Sequence, residues 1–198
     1  MVNYPYKKSS DIIEQENNTP INYANRGMNF EHAVNLSNTF YKEKGLALIT
    51  KRPTPIHINK VDYSKGRIVD AYFEKQSTTD YNGVYKGRYI DFECKETKSK
   101  SSLPMHNISK HQIEHLKSVI NHGGIAFFLI YFTILDEVYL LDAKHVIKIS
   151  EEKERKSIPY STIKEFGVKV KQGYMPRLEY LDAIEKAYFN EENTILSK

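Results

Sequence analysis

The sequence is poor in several residue types, and each shortage excludes a class of protein. Cys94 is the only cysteine among 198 residues, which excludes an internal disulfide framework and any zinc site built from cysteines. The longest apolar run, residues 125 to 132, is much shorter than the roughly 20 residues of a membrane-spanning helix. The first residues contain no apolar stretch of the signal-peptide type. We therefore predict a protein of a reducing compartment, the cytoplasm, with no membrane partner.

A large charge of one sign is also absent. Lys and Arg number 29 against 25 Asp and Glu, a formal net charge of +4, which permits a polyanionic partner without requiring one. The length and the 40% hydrophobic content suit one core. Residues 1–22 are rich in Asn, Ser, Lys and Glu, a composition that predicts a flexible N-terminal arm. Residues 23–198 are predicted to form one domain with an insertion at about residues 53–75.

Apolar spacing predicts an α/β fold. Helices are expected at residues 27–42, 109–121 and 178–189, with a shorter one after residue 158. Strands are expected at residues 46–50, twice within 78–97, at 124–133, 137–143 and 168–170. The strand after residue 124 is apolar on both faces, which predicts a central position in the sheet. Turn signals occur at Asn82-Gly83 and at Lys86-Gly87.

The segment after residue 51 is predicted to be an extended excursion, because Pro53 and Pro55 exclude a central strand. A turn is expected near residues 64 to 66. Basic residues on the excursion are interleaved with aromatic ones: Lys60, Lys65, Arg67 and Lys75 with Tyr63, Tyr72 and Phe73. This mixture suits phosphates and exposed bases, although a solvated charged hairpin would have the same composition.

The chemistry-bearing pattern lies in the run RYIDFECKE, residues 88–96. Because side chains of a strand alternate between faces, Asp91, Glu93 and Lys95 share one face. Asp80 precedes Glu93 by thirteen residues, and the intervening turns could bring the two carboxylates together. Two carboxylates and a lysine suit a Mg²⁺ site for phosphodiester hydrolysis. The alternative is a solvated strand face with cross-strand ion pairs.

Several blocks of the chain, in order, resemble the RecU-type Holliday-junction resolvases, a branch of the PD-(D/E)xK nuclease superfamily. The blocks are NRGMNFE (25–31), KRPTPIHI (51–58), AYFEKQSTTDYNGVYKGRYIDFECKETK (71–98), ISKHQIEH (108–115) and PRLEYL (176–181). Together they span most of the chain, and the long central block is far more specific than Glu-x-Lys alone.

The resemblance implies a mixed central sheet flanked by helices, a restriction-endonuclease-like core with a projecting stalk. It implies a Mg²⁺-dependent endonuclease, with Mn²⁺ as a substitute, that resolves four-way junctions by paired nicks in recombination and DNA repair. The implied partners are four-way and other branched DNA, a second copy of the chain in a homodimer, and a RecA-type recombinase. The alternative is a non-catalytic branched-DNA-binding or recombinase-modulating protein, which would be expected to have lost Asp80, Glu93 or Lys95.

The resemblance also assigns residues. It implies metal ligands at Thr78, Asp80, Glu93 and Gln112, with Asp80, Glu93 and Lys95 as the catalytic residues. DNA-binding residues are expected at Arg26, Lys60, Lys65, Arg67, Lys75, Lys98 and Lys100. Glu31 is a possible accessory carboxylate.

Several of these residues have ordinary alternative interpretations. Gln112 forms an S-x-x-Q capping box with Ser109, which explains it without a metal. Thr78 suits a strand simply as a β-branched residue, and Glu31 and Arg26 could be exposed charges. The neighbouring histidines 111 and 115 are interpreted as surface or DNA-facing residues, because they lack the glutamate arrangement of zinc proteases.

The chain departs from the family pattern in two places. Cys94 stands where the family usually has alanine, and strand alternation predicts that its side chain points away from the metal. The stalk between residues 63 and 71 is shorter than usual, which could change how the protein holds a junction.

Overall fold

The structure, a computed structural model, describes residues 30–74, 78–152 and 155–189. By their internal contacts these residues fall into two units. One contains residues 54–74, and the other contains the remaining described residues. The predictions for the N-terminal arm, Arg26 and Lys75 lie outside the described residues.

The larger unit contains five helices and eight strands among its described residues. The helices are α1 (Phe30–Glu43), α2 (Lys110–Asn121), α3 (Ala143–Glu151), α4 (Tyr160–Phe166) and α5 (Tyr180–Ile184). Its strands are β1 (Leu48–Lys51), β4 (Tyr81–Tyr85), β5 (Arg88–Thr97), β6 (Ser102–Pro104), β7 (Ile125–Phe132), β8 (Glu137–Asp142), β9 (Ser157–Pro159) and β10 (Val168–Val170). The smaller unit contributes β2 (Ile56–Asp62) and β3 (Arg67–Phe73).

Six strands form one mixed sheet in the order β1-β4-β5-β7-β8-β10. The pair β5 and β7 is parallel, and the other neighbours are antiparallel. The central position predicted for β7 is confirmed. Its side chains alternate between two apolar clusters, with Phe127 and Leu129 in one and Phe128 and Ile130 in the other. The sheet is therefore covered on both faces, which explains why β7 is apolar throughout.

The turn predicted at Asn82-Gly83 is wrong, because both residues lie inside β4 and pair with β1. A Cβ atom on Gly83 would stand 2.1 Å from the backbone oxygen of Leu48. Gly83 is thus needed for the close approach of two strands rather than for a turn. The second predicted turn is confirmed, since Lys86 and Gly87 have φ angles of 47° and 73° between β4 and β5, as a two-residue hairpin requires.

The helices follow the predicted pattern with two differences. Helix α3 was not predicted. Its N-terminus is capped by the Asp142 carboxylate, which accepts from the backbone N–H of Lys144 at 2.8 Å. The last predicted helix is shorter than expected, because Leu178 forms an isolated bridge with Gln172. Its α-helical part is α5, and a π-helical turn, Glu185–Phe189, follows. None of the described helices combines the length and the apolarity that a membrane crossing requires.

The smaller unit is an antiparallel hairpin of β2 and β3 with register shifts around Lys60. The predicted turn is confirmed: Gly66 has a φ of 60°, and the Asp62 carboxylate accepts from the backbone N–H groups of Ser64 and Lys65. His57 and Tyr72 stack across the two strands with ring centroids 5.0 Å apart. Every side chain of β3 is exposed, so the hairpin presents both charged and aromatic groups to solvent.

Candidate active site

The polar face of β5 is buried. Asp91 and Glu93 are 0% and 2% exposed, while Ile90 and Phe92, on the opposite face, belong to an apolar cluster. The alternation predicted from the sequence is therefore present, but the interpretation as a solvated strand face is excluded. Buried carboxylates require compensating partners, and the side chains around them supply these partners.

Asp80 lies directly before β4, and the register of β4 with β5 places it beside Glu93. Tyr81 pairs with Phe92, and the backbone N–H of Asp80 donates to Oε2 of Glu93 at 3.1 Å. The backbone N–H of Cys94 in turn donates to Oδ2 of Asp80 at 2.9 Å. The Cys94 side chain packs against the apolar cluster on the other face. The two carboxylates are thus adjacent and held by backbone groups.

Glu93 receives two further hydrogen bonds on Oε1. One comes from Nζ of Lys95 at 2.8 Å and the other from Nε2 of Gln112 at 2.6 Å. Burial, followed by the negative charge of Asp80, nevertheless raises the pKa of Glu93 to about 7. Burial also raises the pKa of Asp80, and the nearby charge of Glu31 adds to this effect. Burial is therefore the main cause of both raised pKa values, and repulsion between carboxylates adds to it.

Gln112 combines the two interpretations that the sequence left open. Its Oε1 accepts from the backbone N–H of Ser109 at 3.0 Å, which completes the capping box of α2. Its amide nitrogen contacts Glu93 at the same time. The capping residue of α2 is thus also a member of the acidic site.

Thr78 has a buried hydroxyl oxygen that finds no hydrogen-bond partner within the described part of the chain. Leaving such a group unsatisfied costs about 1–3 kcal/mol, so an additional ligand at this position would be stabilising. The described residues contain no cluster of three or more His, Cys, Asp or Glu side chains able to hold a metal. The available donors, the Asp80 and Glu93 carboxylates with hydroxyl or amide oxygens, fit a hard cation that retains several waters.

Glu31 lies in the first turn of α1 and forms an ion pair with Lys51 of β1. Both side chains are partly exposed. The Glu31 charge nevertheless acts on Asp80, whose pKa it raises. Glu31 is therefore close enough to contribute to the electrostatics of the acidic site.

A second buried cluster around Asp91 was missed from the sequence. Oδ2 of Asp91 lies 2.6 Å from Nη2 of Arg52, 2.8 Å from the Tyr89 hydroxyl and 2.9 Å from Nε2 of His115. The Thr79 hydroxyl donates to Oδ1. His115, interpreted from the sequence as a surface or DNA-facing residue, has a side chain that is 25% exposed, but its ring is also bonded to the fully buried Asp91 carboxylate. The sequence signal that could have indicated this cluster is strand alternation, which places Asp91 on the same face of β5 as Glu93.

The predicted DNA-binding residues that the structure describes are exposed. Lys60, Lys65 and Arg67 belong to the β2–β3 hairpin, and Lys98 and Lys100 follow the end of β5. The nearest ionic partner of Lys65 is Asp62, at 3.9 Å. Side chains of this kind are accessible to a phosphate backbone.

The fold and the site together define the class of this protein. A mixed sheet with flanking helices that carries one aspartate before a strand and Glu-x-Lys on the next is the arrangement of the restriction-endonuclease-like, PD-(D/E)xK nucleases. The model of the family "Recombination protein U" (RecU) matches residues 25–186. The chain belongs to this family, and the resemblance drawn from its sequence blocks is confirmed.

Individual relatives agree with the family match. The chain is 51% identical over 175 residues to "Holliday junction resolvase RecU" of Geobacillus sp. (strain WCH70), covering 85% of this chain and 87% of the relative. It is 49% identical over 192 residues to the protein of the same name from Streptococcus thermophilus (strain ATCC BAA-491 / LMD-9), covering 94% and 97%. The solved structure of Archaeoglobus fulgidus Hjc, a Holliday junction resolvase, covers 69% of this chain and 94% of its own, with 13% identity and a TM-score of 0.40. A likeness this distant adds nothing to the assignment.

Proposed function

We propose that this protein is a Mg²⁺-dependent, structure-selective endonuclease that resolves four-way DNA junctions by paired nicks in homologous recombination and DNA repair. The observation that carries the proposal is the adjacency of Asp80 to the buried Glu93, next to Lys95. Support also comes from the two relatives above, which are named Holliday junction resolvases.

Asp80 and Glu93 would hold the cation, with the Thr78 hydroxyl as a further ligand. The Gln112 oxygen, which accepts from Ser109 while the amide nitrogen faces Glu93, would become a ligand once the amide turns over. The repulsion between the two carboxylates, which adds to the burial that raises the pKa of Glu93, supports this role because a cation would offset it. A divalent cation supplies charge stabilisation at the phosphate and lowers the pKa of an attacking water. Mn²⁺, which accepts similar oxygen donors, should substitute for Mg²⁺.

Lys95 would act on the transition state. Its side chain is 15% exposed and donates to Glu93, which aims the ammonium group at the acidic site while leaving further N–H donors. A lysine in this position can stabilise charge that develops on the phosphate or orient the attacking water. Arg26 and Lys75, together with the exposed lysines and arginine described above, would bind the DNA backbone.

The β2–β3 hairpin provides the features that a branch point requires. Lys60, Lys65 and Arg67 can neutralise phosphates, and the exposed rings of Tyr63 and Phe73 can stack on unpaired bases. Two matched nicks require two active sites, for which a homodimer with twofold symmetry is the simplest assembly. A RecA-type recombinase is a further proposed partner, and the cytoplasm is the proposed compartment.

A non-catalytic branched-DNA-binding or recombinase-modulating protein is the alternative. Such a protein would have no use for two adjacent carboxylates of which one, Glu93, is buried at a cost in desolvation. The presence of Asp80, Glu93 and Lys95 in hydrogen-bonding contact therefore favours the enzyme.

The test is incubation of the purified protein with a labelled four-way junction and with a linear duplex of matched sequence, each with and without Mg²⁺. We expect symmetric nicks on opposing strands of the junction, dependent on Mg²⁺, and little cleavage of the duplex. Tight junction binding without any nicking would support the non-catalytic alternative instead.

A further inference from the structure

We propose that Asp91 is a positioning residue, whose buried carboxylate ties together the chain segments that carry the acidic site. The inference deepens the proposed function, because it concerns the geometry of the same metal site. The Asp91 side chain is fully buried, and its role in the proposal is indirect. It acts on Asp80 through Thr79 and Arg52, and on Gln112 through His115.

The first connection fixes the segment that carries Asp80. The Thr79 hydroxyl, one residue before Asp80, donates to Oδ1 of Asp91. Arg52 donates to Oδ2 of Asp91 through its guanidinium at 2.6 Å, and its backbone N–H donates to the carbonyl oxygen of Asp80 at 2.7 Å. The Thr79 side chain, directly before Asp80, and the Asp80 carbonyl group, through Arg52, are thus both connected to the Asp91 carboxylate.

The second connection fixes helix α2 against β5. Gln112 bonds to Glu93, and His115, three residues later, bonds to Asp91, two residues earlier on β5. Three residues of helix advance roughly 4.5 Å, and two residues of strand advance roughly 6.6 Å. The two contacts are therefore consecutive along the interface between α2 and β5. The contact of His115 with Asp91 prevents α2 from rotating in a way that would turn Gln112 away from Glu93.

The cost of the arrangement favours positioning over packing as its role. Burying the Asp91 carboxylate and much of the Arg52 side chain carries a desolvation penalty that well-packed apolar side chains would avoid. In addition, the buried Nε of Arg52 has no hydrogen-bond partner within the described residues. A cluster of buried charged groups around Asp91, with its desolvation penalty, is consistent with contacts that orient the metal ligands of the neighbouring site.

Thr79 offers a matched pair of variants. Thr79→Val keeps the side-chain shape but removes the hydroxyl that binds Asp91, whereas Thr79→Ser keeps the hydroxyl. Mn²⁺ affinity of the full chain without DNA is measured by isothermal titration calorimetry, and junction nicking is measured under single-turnover conditions. We expect Thr79→Val to weaken Mn²⁺ binding and to slow nicking, each about 10–100-fold, and Thr79→Ser to restore both. Junction affinity without metal should stay unchanged.

Asp91→Asn removes the charge that all four partners share and should show a larger loss of Mn²⁺ affinity, provided that thermal melting shows a folded protein. Tyr180→Phe is the control, since it removes a buried hydrogen bond to Asn38 between residues that belong to neither site. If Tyr180→Phe weakened Mn²⁺ binding as much as Thr79→Val, general destabilisation would explain the loss and the positioning role would be overturned. Wild-type Mn²⁺ affinity in a folded Thr79→Val would also overturn it.

The two proposals fail in different ways. A wild-type protein that binds Mn²⁺ but nicks no junction would contradict the proposed function, while the effect of Thr79→Val on Mn²⁺ affinity would still decide the role of Asp91. Conversely, junction nicking by the wild type and by Thr79→Val at equal rates would leave the nuclease in place and remove the positioning role.

Discussion

The side-chain amide of Gln112 donates to Oε1 of Glu93 at 2.6 Å, so the first turn of α2 is bonded to the middle of β5. The same side chain closes the capping box with Ser109. The capping box that stabilises α2 and a hydrogen bond within the acidic site therefore both depend on Gln112.

Gln112→Ala should remove both functions. We expect a loss of about 1 kcal/mol in the free energy of unfolding, as for other caps, together with slower nicking because Glu93 loses an orienting donor. Ser109→Ala is the matched control, since it weakens the same cap without touching Glu93. If chemical denaturation and single-turnover nicking changed equally in both variants, Gln112 would be a capping residue alone.

The acidic pair should be required for cleavage and dispensable for DNA binding. Glu93→Gln and Asp80→Asn should abolish nicking while sparing junction affinity, because binding depends on many phosphate contacts. Ca²⁺ should support binding without turnover, since its larger coordination shell positions the attacking water poorly. Gel-shift and nicking assays measure the two properties separately. Mg²⁺-dependent cleavage at a normal rate by either variant would remove that residue from the metal site.

Lys95→Ala should lose most of the nicking rate and keep Mg²⁺ and junction binding, because the proposed role of Lys95 is in the transition state. Lys169→Ala is a suitable control, since it removes a lysine that is ion-paired with Glu137, away from the acidic site. Single-turnover kinetics at saturating Mg²⁺ gives the comparison. Equal rates for the two variants would show that Lys95 is only an ion-pair partner.

The stability of the metal-free protein should depend on pH through Glu93. Its pKa in the folded protein is about 7, above the ordinary value of 4.5. The protonated form is therefore favoured by folding, and this contribution is fully present below pH 4.5 and lost as the pH rises through 7. Between pH values of about 5 and 8 the free energy of unfolding of the wild type should fall relative to that of Glu93→Gln, by at most on the order of 3 kcal/mol.

The measurement is urea denaturation of both proteins at several pH values in the presence of a chelator. Added Mg²⁺ should reduce the difference, because a bound cation stabilises the ionised carboxylate. Parallel pH profiles of the two proteins would contradict a raised pKa of Glu93 in the folded protein.

The β2–β3 hairpin should determine the preference for junctions. Replacing residues 58–70 by a short Gly-Ser linker should leave the larger unit folded, since no residue of this segment belongs to either apolar cluster. Junction binding and paired nicking should fall steeply, whereas the weaker, salt-sensitive affinity for linear duplex should change much less.

The comparison is a competition between junction and duplex at one fixed salt concentration, with thermal melting as a check on folding. A variant in which Lys60, Lys65 and Arg67 are all replaced by Ala separates charge from shape, because it keeps the hairpin. If the folded deletion variant preferred junctions as strongly as the wild type, the protein would be better described as a general nuclease.

Local patterns were sufficient for much of the fold. Alternation placed Asp91, Glu93 and Lys95 on one face, and the continuous apolar run identified β7 as a central strand. The misplaced turn at Asn82-Gly83 shows where local patterns fail. The same dipeptide suits a tight turn and a close contact between strands, and only the presence of β1 beside Gly83 decides between them.

The sequence by itself determined which residues form the acidic site, because Asp80, Glu93 and Lys95 are close in the chain and the β4–β5 hairpin brings them together. Only the tertiary structure decided which groups support that site. Arg52 and His115 are 39 and 24 residues from Asp91. They reach it because β1 pairs with β4, the sheet neighbour of β5, and because α2 packs against β5. Contacts of this kind depend on burial and on the packing of distant elements, which no local periodicity encodes.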